Sequence, residues 1–304
     1  MIYDTIIVGA GTAGMTAALN LRRNNKTVLL LEEENIGGQI SFSPRVENIP
    51  AITEIAGSKF SDQLFSQVLE LGAEVELEKA IKVNKENDLF VVTTDYNKYS
   101  SRAIIIATGV QHRHLRLPKE QELIGHGVSY CALCDGAFYK NQEVVLIGDG
   151  NTALQYAILM TNYCPKVYVC TLFDKFFGDD ALVRTLKAKE NIEIISNVSA
   201  CEFLGEEELT GIVFQRLDKS KFQLDVPAVF VAIGQVPNNK IFNDFVELDK
   251  EGYIVTDENC ATTTDGMYAI GDCRQKPVRQ LTTAMADGAV AAFNISTFID
   301  SKNN

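Results

Sequence analysis

Tryptophan is absent from this chain of 304 residues, and histidine occurs only at positions 112, 114 and 126. With so few histidines and a single pair of cysteines at two-residue spacing, a structural zinc site has too few ligands, and no metal is expected. Basic residues are in deficit, 28 Lys and Arg against 40 Asp and Glu, for a net charge of −12. Nucleic acid is thereby excluded as a partner, because phosphate binding is driven by clustered cations that release counterions. No apolar run approaches the roughly 18 residues that a membrane span needs. The N-terminus enters an apolar strand pattern at once, without a charged region or cleavage site, so a cytoplasmic location is expected. Seven cysteines, an odd number at irregular spacing, do not make a secreted disulfide framework, and most should be reduced and buried.

What is present is the ordinary material of a globular protein, 46% hydrophobic and 22% charged, long enough for two domains. Residues 4–31 read as strand (DTIIVG), tight turn (GAGTAG), amphipathic helix (MTAALNLRR) and strand (KTVLLLE), a βαβ unit. A second such unit begins near residue 143 with EVVLIG, GDGNTA, LQYAILMTN and KVYVCT. Between them EVELEKAIKV, LFVVTTD and AIIIATG suggest a meander that completes the first domain. Past residue 240, EGYIVTD and GMYAIGD look like strands and TTAMADGAVAAFNISTFI like a closing helix. The expected fold is therefore α/β, with two Rossmann-like nucleotide-binding domains. Residues 1–114 and 241–304 form the first, interrupted by a smaller one at 115–240, with hinges near 112–120 and 237–240.

Gly9, Gly11 and Gly14 stand in GxGxxG between a strand and a helix. Such glycines permit a sharp turn and bring backbone amides and a helix N-terminus close to a pyrophosphate. Glu32, at the end of the second strand, is placed to accept from a ribose hydroxyl. A glycine turn without a ligand would leave that acid unexplained.

Cys131 and Cys134 lie in CALC, followed by Asp135. Two intervening residues suit a small disulfide ring in which one thiolate is stabilised, and a neighbouring carboxyl can deliver the proton that disulfide reduction needs. Half a zinc site and an inert buried pair are the alternatives, and neither accounts for Asp135.

These residues resemble the low-molecular-weight thioredoxin reductases along nearly the whole chain. The resemblance runs through GAGTAG (9–14), GGQ (37–39), VENIP (46–50), ATG (107–109), GVSYCALCDG (127–136), AIGQVPN (232–238), YAIGD (268–272) and RQLTTAMADGAVAA (279–292). It implies an FAD enzyme that reduces thioredoxin. Gly9, Gly11, Thr12, Ala13, Gly14 and Glu32 would hold the ADP half of FAD. Gly38, Gln39, Asn48, Thr108, Gly109, Gly271, Asp272, Arg279 and Gln280 would line the rest. In the dithiol, Cys134 would face the flavin, Cys131 would attack the partner's disulfide, and Asp135 would be the acid. The resemblance also implies a homodimer whose smaller domain rotates between flavin and partner.

The second βαβ unit departs from the family. Its turn keeps Gly148, Gly150 and Ala153, but the arginine cluster that pairs with the 2′-phosphate of NADPH is replaced by LFDKFFGDD (172–180). One lysine stands there against Asp174, Asp179 and Asp180, whereas a dianion needs cationic partners. The strand ends in Cys170 and Thr171, so the acidic residue expected for NADH is missing too, Asp174 being a displaced substitute. The chain is in this respect similar to the ferredoxin-linked flavin thioredoxin reductases. Ferredoxin is the expected donor, with His112, Arg113, His114 and Arg116 as its docking patch. An NAD(P)H enzyme with an atypical site, a second flavin stacked on Phe173, Phe176 and Phe177, and a dithiol oxidase are the alternatives.

Overall fold

Strand Ile2–Val8 is apolar on both faces, with Ile6 and Ile7 fully buried, as a central strand of a covered parallel sheet must be. In the computed structural model, which describes residues 1–43 and 45–302, this strand lies inside a seven-stranded sheet. Val28–Leu31 and Lys98–Ile106 flank it, both parallel to it. Helix Thr12–Arg23 covers one face through Met15, Ala17, Ala18 and Leu21, and Arg22 and Arg23 complement the dipole at its C-terminus. Helix Leu281–Lys302 packs against it so closely that a Cβ on Gly288 would stand 2.6 Å from the Ala13 carbonyl oxygen.

The meander splits where the sequence showed one run. Glu74–Glu76 pairs in parallel with Val28–Leu31, while Ala80–Glu86, Leu89–Thr94 and Lys98–Ile106 pair antiparallel. The break falls at Glu78, whose buried carboxylate accepts from Thr94 Oγ1 and Asn97 Nδ2, both at 2.6 Å, and from Tyr99 OH at 3.2 Å. EGYIVTD likewise makes only isolated bridges, at Leu248–Ile254 and Ile254–Arg274. The Asp249 carboxylate accepts from the amides of Glu251 and Tyr253 and winds that stretch into a turn.

The second unit repeats the plan. Ile192–Ile195, Val167–Cys170, Val144–Ile147, Val229–Val231 and Val128–Ser129 form an all-parallel sheet in that order. A three-stranded antiparallel sheet, Val198–Gly205, Leu209–Arg216 and Lys221–Leu224, accompanies it. Both units are thus Rossmann-like α/β folds. In each, the glycine turn follows the strand at which the strand order reverses, where parallel sheets open a crevice at their carboxyl ends.

Residues 1–111 with those from 236 onward form one unit, and residues 112–235 the other. The first crossing precedes residue 114 because His112 and His114 both pack on Tyr130, with ring centroids 5.1 and 5.0 Å away. The second precedes residue 240 because Asn239, 2% exposed, is built into the first unit. Its side chain accepts from Thr108 Oγ1 at 3.0 Å and donates to the Gly252 and Cys273 carbonyls at 2.9 and 3.0 Å. Replacing Asn239 by Ala strands those buried groups and should cost about 2–4 kcal/mol in urea unfolding of the first unit. A loss under about 0.5 kcal/mol would mean that water replaces the amide.

Candidate active site

The first cradle is set by backbone contacts too close for any side chain. Gly9 has φ +110°, and a Cβ there would meet the Ala107 carbonyl oxygen at 2.3 Å. A Cβ on Gly14 would meet the Gly9 carbonyl oxygen at 2.0 Å. These contacts seat the helix on the strand ends. Gly11 differs: a Cβ there would find nothing nearer than the Gly37 carbonyl oxygen at 4.0 Å, so its bareness serves open space rather than packing. Gly11 is also the N-cap, and no side chain caps it. The first amides of the helix, at Thr12, Ala13 and Gly14, are left for an anion.

Glu32 stands beside this turn. One carboxylate oxygen accepts from the Ala10 amide at 2.7 Å and the other from the amides of Glu34 and Asn35 at 3.0 and 3.3 Å. The carboxylate is fixed in place, with lone pairs to spare for a ribose hydroxyl. On the other side, the short turn Gly271–Cys273 approaches so closely that a Cβ on Gly271 would stand 2.9 Å from Ala13 Cβ. Asp272 there carries a buried oxygen, Oδ1, without a hydrogen-bond partner, and burial pushes its carboxyl above the usual range. A buried acceptor left empty by the protein is what a hydroxyl-bearing cofactor would fill.

The other expected residues of this unit are linked pairwise, and of them Gly38 reaches the same turn. A Cβ on Gly38 would lie 3.3 Å from Gly11 Cα, and the Gln39 amide donates to the Val110 carbonyl, next to Gly109, whose Cβ direction is open. Asn48 Nδ2 donates to Gln280 Oε1 at 3.0 Å, and Arg279 Nε donates to the Asp272 carbonyl at 3.2 Å while its guanidinium lies 3.9 Å from the Tyr253 ring. The Thr108 hydroxyl is turned to Asn239 and is spent on the scaffold.

In the second unit Cys131 and Cys134 are joined as a disulfide with Cα atoms 5.3 Å apart. Cys134 lies exposed and Cys131 half-buried, at the start of the single turn Ala132–Asp135. That turn is pressed onto helix Asn151–Met160, since a Cβ on Gly136 would meet Met160 Sδ at 2.6 Å. Burial raises the Asp135 carboxyl, while the Ser129 hydroxyl, donating to Oδ2 at 2.6 Å, holds it down. Ser129 Oγ also accepts from the Cys131 amide at 3.0 Å, so one hydroxyl ties the acid to the dithiol. The expectation for most of the remaining cysteines holds: Cys164, Cys170, Cys260 and Cys273 are buried free thiols, pushed upward by burial, and Cys201 is half-buried.

The second glycine turn keeps the backbone form of the first. Gly148 has φ +148°, with Ala232 O 2.4 Å from its absent Cβ, Gly150 faces open space, and helix Asn151–Met160 has no side-chain cap. Its surroundings differ. Asp149 puts a carboxylate into the turn, and the 172–180 segment folds back onto it through Phe177 N to Asp149 O at 2.8 Å and Asp179 N to Asn151 Oδ1 at 2.7 Å. Leu172, Phe173 and Phe177 are exposed, the two rings pack edge to face at 5.7 Å, and the Lys175 ammonium lies 4.8 Å over Phe177. Only Phe176 joins the core.

The basic run near the hinge shrinks. Burial, and then the charge of His114, push His112 down to about 4, so it is neutral and stacked on Tyr130. Arg113 and Arg116 remain exposed. Two further participants carried no signal of their own: Ser129, and Asp287 with its partners Arg274 and Lys276, although an acid within an apolar helix pattern could have marked Asp287.

The crevice at a parallel switch point, the glycine turn, Glu32 and the buried Oδ1 of Asp272 without a hydrogen-bond partner are the features of a dinucleotide-binding fold, and its second unit carries a disulfide. A family model described as pyridine nucleotide-disulphide oxidoreductase matches residues 3–288. A thioredoxin reductase of Listeria monocytogenes is 39% identical over 301 residues, 98% of this chain and 94% of that one. The "34.2 kDa protein in rubredoxin operon" of Clostridium pasteurianum is 37% identical over 301 residues, 98% of each chain. The solved thioredoxin reductase of Streptococcus pyogenes MGAS5005 superposes with a TM-score of 0.95 at 32% identity, covering 99% of both chains. The chain belongs to the low-molecular-weight thioredoxin reductases, a family of FAD-binding flavoproteins.

Two outcomes follow for these residues. Gly14→Ala, which drives a methyl into the Gly9 carbonyl, should yield protein without the yellow flavin absorbance, and full flavin occupancy would contradict the fit. Asp135 carries its proton below its raised pKa and loses it as pH rises through that value. The rate of disulfide reduction should therefore fall along an alkaline limb that Ser129→Ala moves to higher pH and Asp135→Asn abolishes. A limb unmoved in both variants would remove Asp135 from the proton transfer.

Proposed function

We propose that this protein reduces the disulfide of a thioredoxin with electrons that reach its FAD from a ferredoxin rather than from a pyridine nucleotide. The observation that carries the donor is the second cradle. Its backbone would receive a dinucleotide, yet its rim presents Asp149, Leu172, Phe173 and Phe177, and the one cation of the 172–180 segment, Lys175, is laid over an aromatic ring. A 2′-phosphate finds no guanidinium within the 172–180 segment to pair with.

FAD, when bound, accepts electrons singly or in pairs and delivers a pair. Gly9, Gly11, Gly14 and the helix amides would carry its pyrophosphate, Glu32 a ribose hydroxyl, and Asp272 the chain between ring and phosphates. Gly38, Gln39, Asn48, Gly109, Arg279 and Gln280 complete the wall. The Cys131–Cys134 disulfide takes up two electrons and two protons, one proton by way of Asp135, and becomes a dithiol. Cys131 thiolate then attacks the thioredoxin disulfide, forming a mixed disulfide and releasing one thioredoxin thiolate. Cys134 displaces the second, which closes the Cys131–Cys134 bond again and leaves thioredoxin reduced. Arg113 and Arg116 offer the acidic donor a local cationic surface against an otherwise unfavourable field. A cytoplasmic homodimer is part of this reading.

The second reading, a pyridine-nucleotide enzyme, is favoured by the intact backbone at Gly148 and Gly150 and by the family model, described as pyridine nucleotide-disulphide oxidoreductase, that matches residues 3–288. Anaerobic mixing separates the two. Reduced ferredoxin should bleach the flavin and yield thioredoxin dithiol, NADPH and NADH should not, and Leu172→Arg with Phe173→Arg should bring in NADPH-driven bleaching. Rapid bleaching of the unaltered protein by micromolar NADPH would overturn the donor assignment. Arg113→Glu with Arg116→Glu should slow ferredoxin-driven turnover by about tenfold at low salt, and an unchanged rate would remove the docking patch.

A further inference from the structure

Asp272 has a buried carboxylate oxygen without a partner, although Lys276 and Arg279 are near enough for their charges to lower its pKa. Left to electrostatics, such a carboxylate would collect one of these cations, or Arg274 two residues away. Each of them is occupied elsewhere. Arg274 donates from Nε and Nη2 to the two oxygens of Asp287 at 3.0 and 3.1 Å, and from Nη1 to Thr256 Oγ1 at 2.8 Å. The Lys276 ammonium, on a side chain 5% exposed, sits 2.8 Å from Asp287 Oδ2. Arg279 donates to the main-chain carbonyls of Asp272 and Arg274 and lies on Tyr253. Asp287 itself is 7% exposed and also accepts from the Gly271 amide at 2.9 Å, which fixes the backbone immediately before Asp272.

We propose that Asp287 is a positioning residue for the cofactor: it holds Lys276 off Asp272 and so keeps the Asp272 carboxylate open for the hydroxyl groups of FAD. A carboxylate already paired to an ammonium is a poorer acceptor, and a bound hydroxyl would have to displace a charge-assisted bond to reach it. One buried acid therefore serves two ends, neutralising two cations and fixing the turn, while the other acid stays free. The inference rests on the reading that Asp272 faces the cofactor.

Flavin-free protein titrated with FAD, followed by quenching of flavin fluorescence, tests it without turnover. Asp287→Asn frees Lys276 to pair with Asp272, and FAD binding should weaken at least about tenfold, the scale of one charge-assisted bond. Adding Lys276→Met removes the competitor and should restore most of the affinity. Lys276→Met alone should bind FAD as tightly as the unaltered protein. If Lys276 instead holds the cofactor directly, that single variant weakens binding and the proposal falls. If Asp287 is merely structural, the double variant binds as weakly as Asp287→Asn, or worse, and the proposal falls as well. Should Asp287→Asn not fold, the double variant, free of the stranded ammonium, must fold and bind, and its failure counts against the proposal. Asp272→Asn separates the underlying reading: wild-type affinity there would remove Asp272 from the cofactor site, whereas weak binding there together with no rescue in the double variant would refute the role of Asp287 alone.

Discussion

The close approach of backbone to backbone at the first glycine turn is the constraint on which the molecule depends. The Gly9 backbone lies against the carbonyl of Ala107 at the end of a neighbouring strand, and Gly14 lies against Gly9 itself. Together they fix where the first helix begins and aim its free amides at the crevice. The final helix repeats the device at Gly288, against Ala13 and Ala17. Once these contacts are made, the positions of Glu32, of the Gly271–Cys273 turn and of Asp287 follow, because each is hydrogen-bonded or packed to a segment that the turn has already placed.

The second unit shows how little of binding specificity lies in that backbone. It has the same strand order around its glycine turn, the same unstrained opening at the second glycine and the same uncapped helix. What differs is charge and polarity at the rim. A cradle for pyrophosphate becomes hospitable or hostile according to whether guanidinium or carboxylate and phenyl groups surround it. The backbone of the cradle and the chemistry of its rim are therefore set by different residues.

Much of this was legible in the residues themselves. Glycine spacing between an apolar run and an amphipathic run specifies strand, turn and helix through short-range sterics, and both βαβ units form from such runs. A cysteine pair followed by an acid is likewise a local signal, and Cys131, Cys134 and Asp135 share one turn. What stayed hidden depends on partners distant in sequence. Glu78 interrupts a strand only because Thr94, Asn97 and Tyr99 converge on it. His112 looked like a surface cation, yet stacking on Tyr130 buries it and removes its charge. Asn239 and Asp287 look unremarkable in the sequence because their importance lies in the groups brought to them, two backbone carbonyls and a hydroxyl in one case, two cations and an amide in the other.

The central claim is that a bound flavin and the Cys131–Cys134 disulfide form one redox unit. Anaerobic titration of the purified yellow protein with dithionite, counting equivalents to full bleaching, addresses it most directly. The account predicts uptake of about four electrons per flavin, falling to about two when both cysteines are replaced by Ser. About two electrons in the unaltered protein, with the disulfide intact at the end of the titration, would contradict it.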